Sequence, residues 1–261
     1  MKIGFIGVGH MGSSLARAIK DYQNVTLCFN DIDNKKALAL KEEIPNSVVK
    51  DFNEIVGTVH YLFIGVKPND AGEVFKRIKE INSQVIIISM VAGKKISDIK
   101  DIIVNPVIRI LPNTPVAIKS GLTLYNYSSD ITNNDLKTFL DFMKETGELV
   151  EVEEDKINAI SVITGSAPAY LDYFIDALIK ALEKEGVDKK EATYYALMMA
   201  LGTIKLDLNS NKSPLDLGKE VCSPNGSTIE GIDILLKRNL YDIVEEAFQA
   251  TLKKNNKMVE D

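Results

Sequence analysis

The chain is short of the residues that most often do chemistry. Its 261 residues include two cysteines and two histidines. Cys28 and Cys222 lie far apart and in no metal-ligand spacing, which excludes a disulfide framework, gives no metal site, and fits a reduced, cytoplasmic protein. His10 sits inside a glycine-rich loop and His60 opens a strand-like run, so a histidine-based acid–base mechanism is not expected. Excess positive charge is missing too. Thirty-one Lys and Arg stand against 37 Asp and Glu, a net charge of −6, and the basic residues do not cluster. Such a chain repels a polyphosphate backbone, so no nucleic-acid partner is expected. No apolar run reaches the ~18 residues of a membrane span, so no membrane partner is expected either. The N-terminus enters a strand-like run at once, and the expectation is of no secretory signal. There is no internal repeat and no low-complexity tract.

What is present is a hydrophobic content of 45%, enough for a sizeable core, in two unlike halves. From Met1 to about Val152 the runs KIGFIG, VTLCFN, VHYLFIGV, VIIISM, PVIRIL and LTLYNY read as strands, with helical patterns SSLARAIKDY, KKALALKEEI and DAGEVFKRIKEI among them. That alternation predicts an α/β domain over residues 1–152, a mostly parallel sheet with helices on both faces. Residues 153–261 read as all-α. One long helix is expected through DKINAISVITGSAPAYLDYFIDALIKALEKEG, and a second opens on a capping box at Asp188 and Glu191. Ser213, Pro214 and Asp216 open a short one, and TIEGIDILLKR and LYDIVEEAFQATLKK complete the set. YYALMMALGTI is apolar on too many sides for a monomer surface, which points to a homodimer.

The opening KIGFIGVGHMG places G-x-G-x-x-G directly after a strand and at the start of a helix, the context of a dinucleotide-binding Rossmann turn. Gly7 permits the tight turn, Gly9 lets the backbone approach a pyrophosphate, and Gly12 lets helix and strand pack closely. The helix start then offers free N–H groups to the phosphates. The second strand ends at Asn30 and Asp31, where such folds place the acid that binds the adenosine ribose. A carboxylate there repels the 2′-phosphate of NADPH, so Asp31 favours NADH. Lys35 and Lys36 come next and either offset that repulsion or stand solvated.

Five further stretches carry a family likeness: FIGVKPN (63–69), SMVAG (89–93), RILPNTP (109–115), TGSAPAY (164–170) and VCSPNGSTIEGI (221–232). In this order and at these separations the chain resembles the pyrroline-5-carboxylate reductases, the last enzymes of proline synthesis, over nearly its whole length. The resemblance implies a Rossmann domain followed by a helical substrate-binding and dimerisation domain that interlocks into a homodimer or a higher oligomer built from dimers. It implies hydride transfer from NADH or NADPH to the C=N carbon of 1-pyrroline-5-carboxylate, giving L-proline. It also implies that Ile6, Gly7, Val8, Gly9, His10 and Met11 hold the pyrophosphate. Gly65, Val66, Lys67 and Pro68, with Met90, Val91 and Ala92, lie along the nicotinamide half. Ser227 and Thr228 hold the substrate, with Gly226 in the same turn. A helix start at Asn225 to Thr228 suits a small carboxylate. A hydroxyl is a poor proton donor, so Thr228 is read as orienting the iminium or passing a proton from water.

The chain departs from the family at four places. Asn225 stands where a second glycine is usual, and Ala167 where G-S-G-P-A-Y has its glycine. Phe52 takes the position of a cofactor-contacting asparagine, with Asn53 one residue late before Glu54. Asn211 takes that of a glutamate near the substrate. Two rivals remain: a related imine reductase, and a non-catalytic NAD(P)-binding regulatory relative. An alcohol dehydrogenase of the hydroxyisobutyrate type needs a lysine that ISVITGSAPAYLDYF lacks.

Overall fold

The computed structural model describes residues 1–81, 83–223 and 226–260. In chain order the first elements are β1 (Lys2–Ile6), α1 (His10–Ile19), β2 (Thr26–Asn30), α2 (Asn34–Glu43), β3 (Ser47–Val49), α3 (Phe52–Thr58) and β4 (Tyr61–Ile64). Next come α4 (Pro68–Ile81), β5 (Ile86–Ser89), α5 (Ile96–Lys100), β6 (Val107–Leu111), β7 (Gly121–Tyr127), α6 (Asn133–Met143) and β8 (Gly147–Glu151). The helical remainder is α7 (Ile157–Ser161), α8 (Ala167–Lys184), α9 (Lys189–Leu208), α10 (Pro214–Val221), α11 (Ser227–Lys237) and α12 (Leu240–Glu260). The chain divides into two compact units, Met1–Gly165 with Thr251–Asp261, and Ser166–Ala250.

In the first unit the described strands form one eight-stranded sheet in the order β3-β2-β1-β4-β5-β6-β7-β8. All pairs are parallel except β6 with β7. The period-2 alternation of strand side chains explains why the central strands read as unbroken apolar runs. Ile3, Phe5, Phe29, Phe63, Ile88 and Ile108 point to one face and meet Leu15 and Ile19 of α1, Leu40 of α2, and Phe139 and Phe142 of α6. Ile6, Cys28, Leu62, Ile64, Ile87 and Val107 point to the other, against Ile55 of α3, Phe75 of α4 and Ile99 of α5. Phe5 and Phe63 stack with ring centroids 4.5 Å apart and planes 3° from parallel. Two strands carry no sequence signal. β3 is three residues at one edge, and β8 at the other edge is GELVE, mostly exposed.

In the second unit α8 and α9 form a hairpin closed at Gly186, whose φ is +87°. Its buried centre is small: Ile175, Ile179, Ala192 and Ala196, with Leu182, Val187 and Ala200 packed against it. Tyr194, Tyr195, Leu197, Met198, Met199, Leu201 and Ile204 of α9 remain exposed in the single chain. A face of that size left in water marks an interaction site.

Two helix expectations are corrected. Residues 155–186 are not one regular helix, because a π-helical turn at Val162–Ser166 separates α7 from α8. Asp188 does cap α9, but its carboxylate accepts from the Lys190 N–H at 2.8 Å, a tighter turn than the capping box to Glu191. Among the described residues no helix is long and apolar enough to cross a membrane.

Candidate active site

The glycine loop sits where β1 ends and α1 begins, at the point where the strand order reverses between β1 and β4. Open parallel sheets bind ligands at that switch. Gly7 has φ +88°, a conformation L side chains rarely adopt. Its N–H donates to Asn30 O at 2.8 Å, and a Cβ on it would lie 2.6 Å from Gly65 O. A Cβ on Gly12 would lie 2.5 Å from Gly7 O, so α1 packs against the turn through bare backbone. Gly9 is different. It N-caps α1 with no side-chain cap, and a Cβ there would meet nothing within 4 Å. The first turn of α1 thus presents backbone N–H groups beside open space, which fits a pyrophosphate. His10 is exposed, Met11 half-buried, and the Ile6 and Val8 side chains lie in the core, so those two offer only their backbone.

Asp31 is tied into the same loop. Its Oδ2 accepts from the Val8 N–H at 2.8 Å and its Oδ1 from the Asp33 N–H at 2.9 Å. The carboxylate therefore holds the glycine loop as well as standing at the end of β2. Asn30 secures β2, donating from Nδ2 to Lys50 O at 2.9 Å. Ile32, next in the chain, is fully exposed.

The second and third loops lie beside the first. Gly65 N–H donates to Ile6 O at 2.8 Å, and Met90 N–H donates to Ile64 O at 3.0 Å. A Cβ on Gly65 would lie 2.8 Å from Met90 Cε and 2.9 Å from Gly7 O. The fold thus gathers the 7–12, 65–68 and 90–92 segments at the C-terminal ends of adjacent strands. Lys67 and Ala92 are exposed, Val66 and Pro68 half-buried, and the Val91 side chain is in the core. Phe52 is buried in the core cluster that also holds Ile6 and Val91, with the Arg77 guanidinium 3.9 Å over its ring, while Asn53 is exposed on α3.

In the second unit, Gly226 N-caps α11 without a side-chain cap, and Ser227 and Thr228 form its first turn, both exposed. Asn211 is exposed in the turn between α9 and α10. Asn225 lies outside the described residues.

The sequence alone assigns no role to the side chains of RILPNTP, and the structure gives them one in the first unit. Arg109 is 1% exposed and donates from Nη1 to Glu154 Oε1 at 3.2 Å and from Nη2 to Asn158 Oδ1 at 3.4 Å. Burial pushes the guanidinium below its ordinary value, and the Glu154 charge works against that. Glu154 Oε1 also accepts from the Ile96 N–H at 2.7 Å. Asn113, four residues on, donates from Nδ2 to Thr164 O at 3.0 Å and accepts at Oδ1 from the Leu122 N–H at 2.8 Å. The signal in the sequence is Pro168, a helix breaker inside an apolar helical run.

Comparison with known proteins covers both units. The family described as pyrroline-5-carboxylate reductase dimerisation matches residues 154–258, and that described as NADP oxidoreductase, coenzyme F420-dependent, matches residues 2–93. Pyrroline-5-carboxylate reductase 2 of Bacillus subtilis strain 168 is 30% identical over 268 residues, covering 99% of this chain and 95% of that protein. The Streptococcus pyogenes 1-pyrroline-5-carboxylate reductase structure superimposes with a TM-score of 0.90 at 26% identity, covering 98% of each chain. The Plasmodium falciparum pyrroline carboxylate reductase, solved with NADP bound, gives 0.89 at 25% identity, covering 99% of this chain and 98% of that one.

Proposed function

This chain belongs to the pyrroline-5-carboxylate reductase family, and from that premise we propose that it reduces the C=N bond of 1-pyrroline-5-carboxylate to L-proline using NADH in preference to NADPH. It is an oxidoreductase acting on a CH–NH bond. The observation that carries the reading is a pair of helix starts without side-chain caps, α1 at Gly9 and α11 at Gly226. Each leaves N–H groups for an anion. The first, with its open space at Gly9, suits a pyrophosphate, and the second suits the single carboxylate of a small ring.

Reduced nicotinamide, when bound, supplies the hydride. The chain's own residues bind and orient. The backbone from Ile6 to Gly12 cradles phosphate, Asp31 takes the adenosine ribose, and Gly65 to Pro68 with Met90 to Ala92 border the nicotinamide. Ser227 and the Thr228 N–H hold the substrate carboxylate, while the Thr228 hydroxyl orients the imine nitrogen and relays a proton from water. Asn211 stands by the same substrate. Most of the acceleration comes from holding two reactants in register, which needs no strong acid. The functional division is residues 1–152 for the dinucleotide and 153–261 for substrate and dimerisation. A homodimer, or an oligomer of dimers, covers the apolar face of α9, and the protein works in the cytoplasm.

Oxidation of NADH and NADPH, followed at the reduced-nicotinamide absorbance band with racemic pyrroline-5-carboxylate, tests this directly. Turnover is expected with both and is faster with NADH. Cofactor binding without turnover on this or any cyclic imine would replace the reductase reading with the regulatory one. Turnover confined to another cyclic imine would leave a related imine reductase.

A further inference from the structure

The segment between β5 and α5 is closed at its neck by one ion pair. The chain leaves the sheet at Ser89 and enters α5 at Ile96, with Met90, Val91 and Ala92 on the way. Ser89 is the register partner of Arg109 in the parallel pair of β5 and β6. The two-residue alternation puts both side chains on the face of Ile87 and Val107. At the other end of the segment the Ile96 N–H donates to Glu154 Oε1 at 2.7 Å, and Arg109 Nη1 donates to the same oxygen at 3.2 Å. One carboxylate oxygen, supplied from beyond β8, thus ties the exit of the segment to the strand beside its entry. The neck is buried: Arg109 is 1% exposed, Ser89 fully buried and Ile96 8% exposed. The guanidinium has little in reserve. Its Nη2 reaches Asn158 Oδ1 at 3.4 Å, and its Nε is buried with no hydrogen bond among the described residues. Removing Glu154 therefore takes the acceptor from a backbone N–H and from a buried cation at once, and groups shut off from water do not stay in place without one.

We propose that Glu154 is a positioning residue for the cofactor: by closing this neck against Arg109 it preforms the Met90–Ala92 turn for the nicotinamide half of the dinucleotide. Ala92 is exposed and carries only a methyl group, so its place is set by the two ends of the segment, by Val91 buried beneath it and by Gly93, whose φ is +76°. A turn ordered before the cofactor arrives spares binding the cost of ordering it. The adenosine half is held elsewhere in the proposed reading, on the glycine loop and Asp31, so Glu154 acts on one half of the cofactor and not on the other. The inference rests on the reading of residues 90–92 as the nicotinamide border.

Calorimetric titration of the full chain with NADH and with ADP-ribose, which lacks the nicotinamide ring, tests it. Glu154→Ala is expected to weaken NADH binding about tenfold or more and to leave ADP-ribose within about twofold. Glu154→Gln keeps an acceptor of the same reach, so NADH binding is expected within about threefold of the unsubstituted protein. Should the alanine variant not fold, Glu154→Asp, one methylene shorter, is expected to weaken NADH about threefold or more with ADP-ribose again unchanged. Amide hydrogen exchange over residues 90–96 is expected to quicken in the alanine and aspartate variants and not in the glutamine one. In the unsubstituted protein NADH slows that exchange and ADP-ribose does not. Equal weakening of both ligands, or a lowered melting temperature with both affinities unchanged, leaves Glu154 a purely structural residue and overturns the proposal. ADP-ribose slowing exchange at 90–96 as much as NADH overturns the nicotinamide reading of the turn, and the proposal with it. Slowing specific to NADH, with NADH affinity unchanged in the alanine and aspartate variants, overturns the proposal alone. Every readout is of binding or exchange, so a protein without turnover counts against the reductase reading and not against Glu154.

Discussion

The Val8 N–H donates to Asp31 Oδ2 across 2.8 Å, joining the glycine loop to the end of the second strand. One carboxylate therefore holds the loop and, in the proposed reading, also takes the ribose of the dinucleotide. Substituting it disturbs both, and the two effects are separable. Asp31→Ser is expected to shift the ratio of kcat/KM values towards NADPH by about tenfold or more, equivalent to about 1.4 kcal/mol. Asp31→Asn keeps an acceptor for Val8 while removing the charge, so it is expected to shift the ratio in the same direction with less loss on NADH. An unchanged ratio in both variants removes Asp31 from cofactor choice.

The glycines of the loop are expected to respond differently. Gly12→Ala drives a Cβ to 2.5 Å from a backbone oxygen, so it lowers stability by about 1–3 kcal/mol in urea melts. Gly9→Ala meets open space at a φ of −62°, so stability is unchanged or rises by up to about 1 kcal/mol. Its methyl group instead occupies the cradle, and NADH affinity measured by fluorescence falls about tenfold or more.

Thr228 is exposed in the first turn of α11, where its loss costs the fold little. Thr228→Ala is expected to change stability by under about 0.5 kcal/mol and to leave NADH affinity nearly unchanged. Its kcat falls by about a hundredfold or more, and Thr228→Ser retains most of it. Near wild-type turnover in Thr228→Ala would remove this hydroxyl from the mechanism.

The α9 face predicts an assembly. Leu201 and Met198 are 45% and 48% exposed in the single chain, amid other apolar side chains. Leu201→Glu and Met198→Glu place a charge on the face proposed for the second copy, so sedimentation velocity is expected to show monomer. The melting temperature of the unsubstituted protein is expected to rise with protein concentration. A species of one size in wild type and variants would move the contact to another face.

How much of the fold and the site is legible in the sequence depends on how local each cause is. Edge strands illustrate the difference. Central strands such as Tyr61–Ile64 are buried on both faces and announce themselves as unbroken apolar runs. GELVE in β8 and SVV in β3 are strands because β7 and β2 offer them partners, and their own side chains do not say so. Phe52 takes the place of a family asparagine by position, whereas its ring belongs to the core between α3 and α4. Pro168 is visible as a helix breaker, but the bond from Asn113 to the Thr164 carbonyl joins residues 51 apart, and no local pattern announces it.

What the sequence determined by itself were the features whose physics spans a few residues. These are the glycine turn that only a residue free to take φ +88° closes, the strands with their two-residue alternation, and the acid at the end of β2. Backbone sterics and side-chain periodicity act over that range, so the order of residues is enough. Tertiary structure alone decided which polar groups meet: Arg109 with Glu154, Asn113 with Thr164, Val8 with Asp31. A buried donor must find an acceptor once water is gone, and which acceptor is nearest depends on how strands and helices far apart in the chain come together.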